Sequence, residues 1–176
     1  MAVVWVKAYL VEEIYDRMCY TCERHFTIRE RVCMENYADA AESRLKDWEQ
    51  LNNAHRKVAT IHIGGIYIEC LLKGMICLDR HVTPGSRDSK WNVDGSEVPR
   101  PGHALTESPY RTLLEDLYDD MPENVERALA YVSSPENKNY IDYRYIQEDF
   151  VTDEMYEKWL NNFILIFEYL QDQKDV

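Results

Sequence analysis

Residues 58–78, "VATIHIGGIYIECLLKGMICL", are mostly apolar, yet they hold two adjacent glycines, a glutamate and a lysine. The stretch reads as a membrane span, a buried core helix or the wall of a site. His62, Glu69 and Lys73 would each be costly at bilayer depth, and no second run of this kind is present to partner it. The pattern therefore predicts the central helix of a bundle, starting near Ala54 and apolar on nearly every face. Gly64 and Gly65 each lower helix propensity by about 1 kcal/mol relative to alanine, so the pair predicts a neighbouring helix packed close at that level. Glu69 and Lys73 stand four apart in the favourable order, as a local ion pair. Cys70 and Cys77 fall on one face and read as core, and His62, among isoleucines, reads first as a hydrogen-bonded core histidine.

The totals agree with a water-exposed chain. Its 176 residues suit one domain, or one domain with an appendage. Hydrophobic residues at 45% and charged residues at 30% place it among globular rather than disordered chains. The net charge of −12 repels phosphate backbones and anionic lipid, so a membrane partner is not expected and any RNA or nucleotide contact must be a local patch. Five cysteines, an odd number, and a first stretch (Met1 to Tyr9) without a basic region followed by an apolar one point to reduced thiols and a cytoplasmic location.

Outward from the central stretch, helical spacing continues. Val4, Val6, Tyr9, Leu10, Ile14 and Met18 form an amphipathic pattern over residues 4–20. Tyr37, Ala41, Leu45, Trp48 and Leu51 make one stripe over residues 36–52. From Asp79 to Gly102 the chain is polar and rich in turn formers, a long connection for a compact domain and hence mobile or functional; "NVDG" within it can make a short hairpin turn. Ser108 as N-cap and Pro109 at the first helical position begin another helix, which Met121 and Pro122 break. Residues 123–132 restart with acidic side chains in the first turn. Thr152 is a plausible N-cap for the last helix, which runs to about Gln171 through Trp159, Phe163, Ile166 and Leu170. No segment keeps a strand period and no repeat appears. The expectation is an all-α fold of about five to seven helices.

Few constellations suggest chemistry. Cys19, Cys22, His25 and Cys33 carry the thiolate and imidazole donors that zinc prefers, although their spacing departs from paired zinc knuckles. Arg144, in "DYRY", can stack on tyrosine or grip a phosphate or carboxylate, or pair with Asp142 or Glu148 and fix a loop. His103, in "RPGHAL", sits at a helix start, where the dipole does not favour a cation and a neutral ring can cap the turn. No Gly-rich phosphate loop, nucleophile elbow, H-E-x-x-H or paired-carboxylate motif is present.

The series "ADAAESRLKDWEQL", "RKVATIHIGGIYIECLLKGMICL", "GHALTESPYRTLLEDL" and "YIDYRYIQEDF", closed by an amphipathic helix, resembles the HEPN domain family. The strongest piece is "GGIYIECLLKGMI", similar to that family's small-residue helix with Glu–Cys–x–x–Lys; "GHAL" and "YRY" follow in the expected order. The resemblance covers about residues 36–172 and leaves residues 1–35 as an added N-terminal helical extension to a bundle of residues 36–176. It implies an up-and-down bundle of helices, usually dimeric, with a cleft where two protomers meet. Many members of the family are ribonucleases of toxin–antitoxin and phage-defence systems that use an arginine and a histidine a few residues apart. Others lack that pair and act as binding or scaffold subunits, often beside a nucleotidyltransferase.

This chain departs from the nuclease pattern. After Arg144, the positions where the histidine would fall hold Asp149, Phe150 and Val151. Only Arg56 and His62 satisfy the spacing, and they lie on the central helix, where the family does not place its pair. Metal-free RNA cleavage needs a proton acceptor as well as charge stabilisation, and an arginine supplies only the second. The expectation is a binding or regulatory subunit of a toxin–antitoxin or defence module, acting as a homo-oligomer or with a defence or antitoxin protein. The alternative is a metal-independent endoribonuclease whose composite cleft draws Arg144 from one place and His62 or His103 from another. No cofactor is expected beyond the zinc that the N-terminal set could hold.

Overall fold

The computed structural model describes residues 36–173. The amphipathic pattern of residues 4–20, the Cys19/Cys22/His25/Cys33 set and the N-terminal extension of residues 1–35 lie outside the described residues.

Helix α1 spans Tyr37–Asn53 and α2 spans Lys57–Asp79. The Asn36 side chain caps α1 by accepting from the Asp39 amide at 3.1 Å. His55 then takes a left-handed φ of 55°, which ends the helical run and turns the chain back on itself. The two helices form a hairpin in which Trp48 reaches Gly64 and Tyr37 reaches Lys73. Helix α2 starts three residues later than the sequence pattern suggests, with Arg56 as its N-cap. It has the length and apolarity of a membrane span, but most of it is buried inside the protein. Ile68, Leu72 and Ile76 are fully enclosed.

The chain is mostly helical but not purely so, which corrects the all-α expectation. Strands β1 (Val82–Pro84), β2 (Lys90–Val93) and β3 (Ser96–Pro99) form an antiparallel sheet in that order within the polar connection. Asp94 and Gly95, with φ of 52° and 84°, make the two-residue turn that pairs Val93 with Ser96. The Asp94 side chain and amide both bond to the His81 backbone, at 3.0 Å each, closing the sheet across its first strand. The strand signal was too short to register: in β2 only Trp91 and Val93 alternate inward, between half-buried Lys90 and Asn92.

Past the sheet come α3 (Ser108–Leu113), α4 (Glu115–Asp119) and α5 (Glu123–Ser133). Residues 108–120 read as one helix in sequence; the structure breaks it at Leu114, where φ is −123° and ψ 45°. Three 3₁₀ turns follow, at Pro135–Asn137, Tyr140–Tyr145 and Glu148–Phe150. Helix α6 (Asp153–Asp172) is capped by the Thr152 hydroxyl, which accepts from the Met155 amide at 3.2 Å. Its buried stripe of Trp159, Phe163, Ile166 and Leu170 matches the sequence pattern.

The twin glycines sit at the tightest point. A Cβ on Gly64 would overlap the Trp159 ring and come within 3.0 Å of Trp48, and one on Gly65 would overlap Tyr140. The close approach was expected from a helix backbone; aromatic rings make it instead. Trp48, Phe163 and Trp159 stack in series there, with centroid separations of 4.6 and 5.0 Å.

Candidate functional site

One helical turn beyond the glycines, α2 carries Glu69 and Lys73 on a face that is otherwise apolar. Their side chains are only 10% and 6% exposed, and the Lys73 ammonium donates to Glu69 at 2.5 Å. An isolated buried carboxylate would be strongly disfavoured, so further donors are required. Two distant segments provide them. The linker between β3 and α3 brings His103, whose Nδ1 lies 2.8 Å from Glu69 Oε2, and the 3₁₀ turn at residues 140–145 brings the Tyr140 hydroxyl, which donates to the same oxygen. Lys73 also stands over the Tyr37 ring, 5.5 Å from its centroid, and Arg100 donates to the Tyr37 hydroxyl at 3.2 Å.

The linker is anchored on its own account. Tyr110 donates to the Gly102 carbonyl at 2.8 Å, Asn139 donates to the His103 carbonyl at 3.2 Å, and the Leu105 amide donates to the Ser133 hydroxyl at 3.3 Å. The Tyr140 ring meets the His103 imidazole edge-on at 6.3 Å. Imidazole and carboxylate are thus held from several sides while the His103 side chain remains 54% exposed.

Charge follows from this arrangement. Burial alone would raise the Glu69 pKa, but hydrogen bonds from Lys73, Tyr140 and His103 and the Lys73 charge outweigh it and hold the carboxyl below its usual range. Burial, reinforced by the Glu69 charge, pushes the Tyr140 and Tyr110 hydroxyls well above theirs, so both remain donors. An ionised Glu69 can only accept, which puts a hydrogen on His103 Nδ1. The cluster therefore joins a buried anion to an imidazole reachable from solvent.

The remaining sequence candidates lie elsewhere. Arg56 is exposed at the start of α2, with its Nε 3.9 Å from Glu148; that carboxylate also accepts from the Val58 amide at 3.3 Å and so caps the helix. His62 is half-buried and its Nδ1 faces the Tyr140 carbonyl at 3.1 Å. Six residues along a helix of roughly 3.6 residues per turn separate these two onto different faces. Arg144 is exposed and its guanidinium sits 4.6 Å from the Tyr145 ring centroid, while Glu148, one of the two carboxylates expected as its partner, bonds to Arg56 and Val58. Cys70 is buried and Cys77 half-buried on α2. Among the described residues no group of three or more His, Cys, Asp or Glu side chains could hold a metal ion.

Within this cluster the sequence singles out His103 as a candidate and Glu69–Lys73 as a local ion pair, which the structure shows, but it does not join the two. The available signal was a charged pair inside a run with no other charge between Lys57 and Asp79. Tyr140, 71 positions from its carboxylate partner, gave no local signal. Comparisons with family models, with curated proteins and with solved structures each return no match for this chain.

Proposed function

We propose that this chain is a HEPN-like helical binding or regulatory subunit of a toxin–antitoxin or phage-defence module, working as a homo-oligomer or with a protein partner and contacting RNA or a nucleotide at a local patch. The reading rests on the motif order noted in the sequence and on a mostly helical fold built around the helix that carries Glu69 and Lys73. The observation that favours binding over cleavage is the separation of chemistry. Arg144 stacks on Tyr145 with no imidazole in the residues that follow, while Nδ1 of His62 and of His103 is committed to Tyr140 and Glu69. Purified full-length protein incubated with RNA and a chelator is expected to leave the RNA intact, and native protein is expected to co-purify with a second copy or another protein. RNA degradation that disappears in His62→Ala or His103→Ala would overturn this reading.

A second reading has one observation in its favour. A carboxylate-backed imidazole on an exposed side chain is the geometry of a general base. Under that reading the protein is a metal-independent endoribonuclease using His103 with Arg144, and the same assay decides between the two.

A further inference from the structure

We draw no further inference here: the strongest candidate, the surface patch along the 3₁₀ turns Tyr140–Tyr145 and Glu148–Phe150 where the exposed rings of Tyr145 and Phe150 lie against Arg144 and Lys138, is an apolar face of which nothing in the structure shows what covers it.

Discussion

Helix α2 is buried along most of its length, yet its two halves are held by opposite means. Around Gly64 and Gly65 the surroundings are aromatic, and two indole nitrogens, Trp48 Nε1 and Trp159 Nε1, are buried with no hydrogen-bond partner. Around Glu69 and Lys73, one turn on, the two charges pair with each other and the carboxylate also takes a partner from each of two distant segments. The first half is specified by shape: dense ring contacts offset the two unpaired N–H groups and tolerate nothing larger than hydrogen at the glycines. The second is specified by charge complementarity, and the segments it recruits are the ones that display His103, Arg144 and Tyr145. Tyr140 joins the two regions, with its ring against Gly65 and its hydroxyl on Glu69. The dry half therefore sets the position of the polar half.

The largest effect should come from breaking the charged half unevenly. Glu69→Leu leaves the Lys73 ammonium buried without its carboxylate, a change of about 3–5 kcal/mol in unfolding free energy. Glu69→Leu combined with Lys73→Met should recover much of that loss, since two apolar groups need no partner. Urea unfolding of both single variants and the double measures the coupling, and an additive result would mean that the pair is not a unit. The shape-held half should respond next. Gly65→Ala and Gly64→Ala gain helix propensity of about 1 kcal/mol but force a methyl into the Tyr140 or Trp159 ring, for a net loss of about 1–3 kcal/mol. Gly65→Ala should also disturb the NMR signals of His103, because Tyr140 must move; Gly64→Ala should leave them in place.

The two halves differed equally in how much of them the sequence disclosed. Apolar periodicity located α1, α2, α5 and α6, and the Thr152 cap was legible from its place before an acidic first turn. Twin glycines in an apolar helix announced a close approach, since only a tight neighbour offsets their lost propensity. The sheet escaped notice because Trp91 and Val93 give a single alternation, although "NVDG" held its turn. The break at Leu114 has no glycine or proline to signal it, and Tyr110, Leu113, Leu114 and Tyr118 are all buried at the i, i+3, i+4, i+8 spacing of one unbroken stripe, so periodicity conceals it. At the site, His103 could be noticed as an isolated histidine, but its meaning depends on a carboxylate 34 positions away and a tyrosine farther along still. Periodicity reports on neighbours within one element and carries nothing about pairings of that range.

A smaller effect separates the linker from the ring it carries. His103→Ala removes one hydrogen bond to Glu69 while the carbonyls of residues 102 and 103 keep their donors Tyr110 and Asn139. Stability should fall by about 0.5–1.5 kcal/mol in urea unfolding, with Lys73 and Tyr140 still satisfying the carboxylate. A loss as large as that of Glu69→Leu would show that the imidazole, not the lysine, is what makes the buried anion tolerable.

The smallest effect is the acid limb of the stability curve. Glu69 has a folded pKa below its unfolded value, because donation from Lys73, Tyr140 and His103 exceeds the opposing effect of burial. Such a group contributes stability that is fully present above the ordinary carboxylate range and is lost as pH falls through the depressed folded value. The net shift is a difference between two opposed influences, so its share of the acid slope is modest even though each influence alone is large. Thermal midpoints taken from neutral to acid pH should therefore fall somewhat less steeply in Glu69→Gln than in the parent, with the two curves converging at the acid end. Curves that run parallel would mean that the carboxyl is equally easy to protonate in folded and unfolded chains. In that case burial cancels its three donors, and the polar half of α2 is held by hydrogen bonds without a net preference for charge.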